Sequence, residues 1–334
     1  TSLEGLTLLR QIGGNLHLVE NEALETVVLR QIEQITGELI IEKNLKLRSL
    51  HFPQLQQTGL LFIENNPLLG SANGFPVLRT LNGLYVDGNA AMSDIGDFSS
   101  LESMSAGLFL LGLPGIISIE GFSSLTHAGA LLIGQNDNLL SLGDLSNLQS
   151  IDDHFTLVSN PVLTSIDMTS LERVGGELTI ADNGLETLLG LEALTSTGDL
   201  TVIQNAALTN LNGFSSLTNL QGSLALEHNP RLASLGDFPS LGAIEGGLIV
   251  FENPVLSAMD GLDSLRSVGD EVTIHGNAEL ANIEALFGLT SIGPMLDISA
   301  NPNLCESSAW ELMAALESHD WMGGETIHGN DTGC

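Results

Sequence analysis

The chain is poor in the residues that most nucleic-acid-binding and membrane-binding proteins depend on. Only 9 of its 334 residues are Lys or Arg, against 41 Asp and Glu, which gives a net charge of −32. A surface of this sign repels nucleic acid and anionic membranes and favours cationic partners. The acidic residues are scattered along the chain, so they do not predict a disordered acidic tail.

Long apolar runs and enzyme motifs are missing as well. No run reaches 18 apolar residues, so the sequence predicts no membrane-spanning helix. The eight histidines do not pair at metal-ligand spacing, and neither a phosphate-binding loop nor a nucleophile elbow is present. The chain opens at Thr1 within a repeat and shows no signal peptide, so we expect that a leader segment has been removed upstream.

A short phrase recurs along almost the whole chain, and it is clearest as Leu224-x-Leu226-x-x-Asn229-x-x-Leu232-x-x-Leu235. Neighbouring copies of its asparagine are 22 to 24 residues apart, except for a last step of 29 and one slot that holds Leu113. The asparagines are Asn21, Asn44, Asn66, Asn89, Asn136, Asn160, Asn183, Asn205, Asn229, Asn253, Asn277, Asn301 and Asn330. A period of this length predicts a solenoid in which each repeat forms one coil.

The phrase also predicts what each coil contains. Leu-x-Leu alternates apolar and polar residues, as a strand with one buried face does. The asparagine follows at a turn, where we expect left-handed backbone and an internal ladder of stacked amides. Leu113 should interrupt that ladder, either as a repacked coil with a bridging water or as a kink of functional use. The predicted fold is mainly β, a parallel β-solenoid of about fourteen coils with a C-terminal helix cap.

The second half of each repeat predicts the rest of the core. One inward position is often phenylalanine, which indicates a stacked aromatic spine whose members each stabilise the fold by roughly 2–3 kcal/mol. Its members are Phe52, Phe75, Phe98, Phe122, Phe214 and Phe238, with Leu145, Leu191, Leu262 and Leu286 elsewhere. Glycines after this half suit corners with positive φ; they are Gly13, Gly37, Gly175, Gly198, Gly246 and Gly269.

The C-terminal 30 residues break the rhythm. Cys305 and Cys334 each follow a ladder asparagine by four residues, so stacking predicts a disulfide between them and an oxidising, extracellular compartment. Ser308 and Glu311 have the spacing of a capping box and precede a helix-like apolar pattern. We therefore divide the chain into a repeat solenoid over 1–304 and a cap over 305–334 that contains a helix, the last strand and the disulfide.

The full pattern, L-x-x-I-x-G-x-L-x-I-x-x-N-x-x-L-x-x-L over nearly all of residues 3–304, resembles the receptor L domain. This relative of leucine-rich repeats occurs in the ectodomains of insulin and epidermal growth factor receptors and, in similar form, in fungal and bacterial surface proteins. Ordinary leucine-rich repeats have one residue, not two, between the asparagine and the next leucine. The resemblance implies a right-handed parallel β-solenoid, extracellular placement and recognition of other macromolecules.

The outward positions of the predicted strands supply the candidate site. Five consecutive coils carry a large apolar residue after the first leucine, and three acidic residues lie two positions further on. The apolar residues are Ile40, Phe62, Tyr85, Phe109 and Leu132, and the acidic ones are Glu42, Glu64 and Asp87. We call these eight residues the stripe. It predicts a non-enzymatic, secreted or cell-surface module that binds a protein or cell-surface ligand through the main sheet.

Several alternatives remain open at this point. The stripe could instead stiffen the sheet or mediate self-association, which would make the protein a structural spacer or an assembly unit. The aligned acids would suit a polysaccharide lyase or hydrolase, and the threonine column Thr156, Thr179 and Thr201 would suit ice binding, but both patterns are incomplete. No cofactor is predicted. Calcium at the corner acids Asp97, Asp144 and Asp237 is an open alternative, although the repeating motif of calcium-binding β-rolls is absent.

Overall fold

A computed structural model describes residues 3–6, 8–236 and 238–334 of the chain. Its contacts divide the chain into two compact units, residues 1–163 and 164–334, which are called unit 1 and unit 2 below. Each unit is a parallel β-solenoid in which a main sheet and shorter strands enclose a leucine-rich core. The predicted fold class, a mainly β parallel solenoid with one C-terminal helix, is confirmed.

Unit 1 contains seven successive coils whose strands pair in parallel. The main-sheet strands are Gln11–Ile12, Leu16–Val19, Gln34–Ile35, Leu39–Glu42, Gln57–Glu64, Thr80–Asp87, Gly107–Leu111, Leu131–Gly134 and Phe155–Asn160. Short strands on other sides of the coils are Thr26–Val28, Ser49–His51, Ser103–Met104, His127–Ala128 and Ser150–Ile151. Short 3₁₀ helices occur at Glu4–Leu6 and Gly143–Asn147.

Unit 2 repeats this plan and ends in the helix. Its main-sheet strands are Leu178–Asn183, Leu200–Ile203, Leu224–Glu227, Leu248–Phe251, Val272–His275, Met295–Ser299 and Gly324–His328. Its short strands are Arg173–Val174, Ser196–Thr197, Asn219–Leu220, Ala243–Ile244 and Ser267–Val268. A 3₁₀ helix spans Glu284–Gly288, and the α-helix spans Glu306–Glu317.

Alternation along each main strand decides which side chains are buried. In the strand Leu39–Glu42, Leu39 and Ile41 are fully buried, whereas Ile40 and Glu42 are partly exposed. Burying one such leucine or isoleucine stabilises the fold by roughly 1.5–3 kcal/mol, so the pattern fixes the register of every coil. The phenylalanine spine lies within this core, with ring centroids 5.0 Å apart for Phe52 and Phe75 and 5.5 Å apart for Phe214 and Phe238.

The ladder asparagines are bonded from coil to coil inside each unit. Asn253 is representative: its backbone N–H donates to Oδ1 of Asn277 at 3.0 Å, and its Nδ2 donates to the carbonyl oxygens of Leu226 and Phe251. From Asn44 onward these asparagines are buried, whereas Asn21 is exposed. Each amide therefore satisfies backbone groups that water does not reach.

Leu113 interrupts this row in unit 1, as its side chain has no hydrogen-bonding atoms. It is fully buried, and its backbone N–H still donates to Oδ1 of Asn136 at 3.0 Å. Because Leu113 has no side-chain oxygen, the backbone N–H of Asn89 has no ladder amide to donate to. On its other side Asn89 is still part of the ladder, since its Oδ1 accepts the N–H of Asn66 at 3.0 Å. The ladder is therefore broken for one coil and resumes in the next.

The left-handed turn lies one residue earlier than the sequence predicts. In all fourteen coils the residue before the ladder position has φ between 51° and 72°, and the ladder residue itself does not. These residues are Glu20, Lys43, Asn65, Gly88, Gly112, Gln135, Ser159, Asp182, Gln204, His228, Glu252, Gly276, Ala300 and Gly329. The asparagine therefore serves the ladder, and its neighbour makes the turn.

The glycines of the second half-repeat have a different role from the predicted one. None of the six glycines assigned to positive-φ corners has positive φ among the described residues. Gly269 instead lies so close to the preceding coil that an added Cβ would be 2.0 Å from the carbonyl oxygen of Glu245. An added Cβ at Gly198 would likewise be 2.6 Å from the carbonyl oxygen of Gly176. At these positions glycine permits close backbone approach between coils.

The C-terminal helix begins earlier than the capping-box pattern indicates. It spans Glu306–Glu317, so Ser308 lies inside its first turn and donates its backbone N–H to the carbonyl oxygen of Cys305 at 3.0 Å. Cys305 is held by a disulfide to Cys334, with the two Cα atoms 5.7 Å apart. The residue before the helix is thus a disulfide-bonded cysteine that makes no side-chain cap hydrogen bond. Among the described residues, no helix has the length and apolarity that crossing a membrane requires.

Candidate protein-binding face of unit 1

Parallel pairing places the apolar residues of the stripe side by side. The register aligns Ile40 with Phe62, Phe62 with Tyr85, Tyr85 with Phe109, and Phe109 with Leu132. Because every repeat buries its two leucines inward, the residue between them must point outward in each coil. All five side chains are half-buried on the outer face of the main sheet.

The three aromatic rings of the stripe form one continuous stack. The ring centroids of Phe62 and Tyr85 are 4.5 Å apart with an interplanar angle of 18°, and those of Tyr85 and Phe109 are 4.3 Å apart at 4°. Burial raises the pKa of the Tyr85 hydroxyl. Since the faces of the inner ring are covered by its neighbours, the stack presents mainly ring edges to a partner. Ring edges carry partial positive charge and favour apolar side chains, aromatic faces or carbonyl oxygens.

The acidic residues of the stripe form a second column beside the rings. The register aligns Glu42 with Glu64 and Glu64 with Asp87, and the column continues to Leu111 in the next coil. Burial and then the neighbouring Glu42 and Asp87 carboxylates raise the pKa of Glu64, while Lys43 acts in the opposite direction. Lys43 neutralises only one end of the column, through an ion pair of 2.7 Å between its Nζ and Oε1 of Glu42.

Together the two columns form an apolar strip with an acidic edge. A cationic partner would stabilise the ionised carboxylate of Glu64 most, because burial and the neighbouring carboxylates both disfavour that charge. The structure thus brings together all eight residues of the stripe. This surface can bind apolar side chains along the rings and ammonium or guanidinium groups along the carboxylates.

Metal binding finds no support in the described part of the chain. No group of three or more His, Cys, Asp or Glu residues there has a geometry that would hold a metal ion. The corner acids are engaged otherwise: hydrogen bonds from the Ser99 side chain and backbone lower the pKa of Asp97, and Oδ2 of Asp144 accepts the N–H of Gly121 at 2.8 Å. Asp237 lies outside the described residues.

Unit 2 has an aromatic cluster on the outer side of its own main sheet, which the sequence analysis did not propose as a site. The rings of Phe251 and His275 stack at 5.1 Å and 10°, and the ring of His228 meets Phe251 edge-on at 5.4 Å and 75°. Nδ1 of His228 lies 3.1 Å from Oε2 of Glu252. The register of adjacent strands could have predicted the Phe251–His275 pair, but His228 comes from the left-handed turn position.

These features define the class of molecule: a leucine-rich, L-domain-like parallel β-solenoid with a patterned outer face. No protein-family model matches the chain, and no curated protein matches it. Among solved structures, it is similar to a leucine-rich repeat protein from Bacteroides ovatus ATCC 8483, with 13% identity over 95% of this chain and 83% of that chain and a TM-score of 0.28. At that score the similarity carries no functional argument, and the candidate site rests on its own geometry.

Proposed function

We propose that the protein is a non-enzymatic recognition module that binds a protein segment carrying both apolar and basic side chains along the stripe. A solenoid repeat fold suits protein interaction because it offers a long, regular surface. The observation that carries the proposal is the pairing of a stacked aromatic column with an acidic column whose central residue, Glu64, has a raised pKa.

Charge complementarity argues for a basic partner and against a second copy of this chain. The net charge is −32, so two copies that met through their stripes would bring like charges together. A basic segment would gain favourable encounter and would neutralise Glu64 and Asp87. We propose that this binding occurs outside the cell, because the Cys305–Cys334 disulfide suits an oxidising compartment.

The proposal is tested with a synthetic twelve-residue peptide that alternates leucine and arginine. We expect it to bind wild-type protein and to bind the Phe62→Ser/Tyr85→Ser double variant at least tenfold more weakly in titration calorimetry. Two control peptides replace arginine by glutamate or leucine by serine. The Phe251→Ser variant controls for loss of any outward aromatic ring, and circular dichroism checks that all variants fold.

Each control has a definite meaning. A serine–arginine peptide that binds as tightly as the leucine–arginine peptide would show that only net charge matters, and the stripe would be the wrong site. Equal binding to wild type and to the double variant would have the same consequence.

A structural role is the second candidate, and the continuous ring stack favours it, because stacked rings also stiffen a sheet. Light scattering after size-exclusion chromatography separates the two. A monomer of about the 35.2 kDa chain mass, in both wild type and the double variant, supports recognition of a foreign partner. A wild-type oligomer that dissociates in the double variant would make the stripe an assembly surface.

A further inference from the structure

Basic residues are concentrated at the start of this acidic chain. Residues 1–79 contain six of the nine basic residues and only eight of the 41 acidic ones, which leaves a formal charge of −2 on this segment. The other 255 residues therefore carry −30 of the total of −32. An anion approaching residues 1–79 meets far less local repulsion than it would along the rest of the chain.

A groove of about 370 Å³ lies within this segment of unit 1. Arg30 and His51 line it together with apolar walls from Val28, Pro53 and Pro76. The register pairs Val28 with His51 on adjacent coils, and Arg30 follows Val28 by two residues. The repeat thus brings two nitrogen-donor side chains to one concave site of a size that small ligands occupy.

One lining residue of the groove, Gly74, packs tightly against the preceding coil. Gly74 lies so close to the preceding coil that an added Cβ would be 2.8 Å from both Cβ and the carbonyl oxygen of Leu50. A larger residue at position 74 would therefore force these two coils apart.

The groove of Arg30 and His51 differs from two other arginine-lined grooves, because those two also contain a carboxylate. Arg79 shares its groove with Glu102, and Arg231 shares its groove with Glu186. No carboxylate lines the groove of Arg30 and His51, and within the described residues neither side chain makes a hydrogen bond or ion pair. Asn73, which also lines the groove, donates a hydrogen bond to Asp94, and that carboxylate also accepts the N–H of Gly96.

We propose that this groove binds a small organic carboxylate with an apolar body. The guanidinium of Arg30 is suited to bidentate contact with the carboxylate, and His51 supplies a further donor. The proline and valine walls suit a flat apolar body. The site is separate from the stripe, so its occupancy does not depend on the proposed partner.

The test uses 4-fluorobenzoate as the probe and follows its fluorine signal by NMR as protein is added. We expect saturable broadening with wild type, at least fivefold weaker binding to Arg30→Gln, and unchanged binding to Arg48→Gln. Arg48 is a matched control because it is an exposed arginine of the same segment that does not line the groove. The Phe62→Ser/Tyr85→Ser variant should bind the probe as wild type does.

Two further ligands make the chemical assignment falsifiable. The neutral isostere 4-fluorobenzamide should not bind, and inorganic phosphate should displace the probe only at concentrations at least tenfold above those of benzoate. Equal binding of the amide would overturn the role of charge, and phosphate as effective as benzoate would overturn the role of the apolar body. Binding to Arg30→Gln that equals wild type would overturn the site itself.

Discussion

The outward faces of the two units use the same backbone pattern but carry different side-chain chemistry. In unit 1, three aromatic rings stack without interruption beside a column of acids. In unit 2, one phenylalanine lies between two histidines, one stacked and one edge-on. The comparison teaches that the solenoid fixes where outward residues meet, and that their identity alone decides whether they form a continuous surface.

The interiors of the units differ as well. The ladder of unit 1 is broken at Leu113, whereas in unit 2 the amides are linked from Asn183 to Asn330. Unit 2 also has a covalent clamp in the Cys305–Cys334 bridge. We therefore expect a ladder substitution in unit 2 to lower the free energy of unfolding far more than the natural Leu113 lowers it in unit 1.

The largest effect is predicted for Asn229→Leu. This change leaves the backbone N–H of Asn205 without its acceptor and removes the donor to the carbonyl oxygens of Val202 and Glu227. Each unsatisfied buried group costs about 1–3 kcal/mol, so the loss should be about 3–5 kcal/mol. Urea denaturation with hydrogen exchange measures it.

The reciprocal control is Leu113→Asn, which restores an acceptor for Asn89 while removing a buried leucine. We expect these effects to offset each other to within about 1 kcal/mol. If Asn229→Leu cost less than the reciprocal change, the ladder would not be what distinguishes the units.

The second prediction concerns the covalent clamp. Cys334→Ser opens a loop with a sequence separation of 29 residues, which by chain entropy alone is worth about 3–4 kcal/mol. We expect the loss to be confined to the cap, since the main-sheet strands before residue 305 keep their pairing. Hydrogen exchange should show faster exchange in Glu306–Glu317 and Gly324–His328 only. Uniformly faster exchange in unit 1 would contradict this locality.

The third prediction sharpens the contrast between the ring clusters. A double-mutant cycle of Tyr85→Ala and Phe109→Ala should give a coupling free energy of about 1 kcal/mol, because the two rings are nearly parallel and closely stacked. The matched cycle of His228→Ala and Phe251→Ala should give less than half of that. Equal coupling free energies would mean that the continuous ring stack stabilises the fold no more than the edge-on pair does.

The smallest effect is expected for Glu64→Gln, and its sign is the informative part. A carboxyl whose folded pKa is raised stabilises the fold at low pH and loses that contribution as pH rises through the folded pKa. Glutamine does not titrate, so at pH 7 the variant should be more stable than wild type by a few tenths of a kcal/mol, a value that allows for solvent screening.

This advantage should disappear when the pH falls below the ordinary value of 4.5. Thermal unfolding at pH 7 and pH 4 measures it, with the exposed Glu22→Gln as a control. A variant that is less stable than wild type at pH 7 would show that Glu64 is not strained by its neighbours.

The repeat made most of the fold predictable. Residues one and three positions after the first leucine of a coil meet their counterparts in the next coil, which is why Phe62, Tyr85 and Glu64 could be placed together from spacing alone. The turn was misplaced by one residue because asparagine suits both a left-handed backbone and a hydrogen-bonded ladder, and the sequence does not say which use prevails.

Other features depend on interactions that spacing does not encode. The helix begins at Glu306, directly after the disulfide-bonded Cys305, and not at the local Ser308–Glu311 pattern. The Arg30–His51 groove is lined by equivalent positions of three successive repeats, 28, 51 and 74 and also 30, 53 and 76, but the residue types at these positions differ from coil to coil, so the sequence alone did not mark a site there. The angle between His228 and Phe251 depends on rotamers and on the turn geometry, which the repeat does not specify.

The asparagine ladder also bears on how the protein ages. Asparagine deamidates when the backbone nitrogen of the following residue attacks the side-chain carbonyl, and the product would place a carboxylate inside the row of amides. Five ladder asparagines are followed by proline, whose nitrogen cannot make that attack; they are Asn66, Asn160, Asn229, Asn253 and Asn301. Asn183 precedes glycine, the most permissive neighbour, and there only burial and hydrogen bonding hold the amide in place. The chemical lifetime of the ladder therefore depends most on how rarely the coil of Asn183 opens.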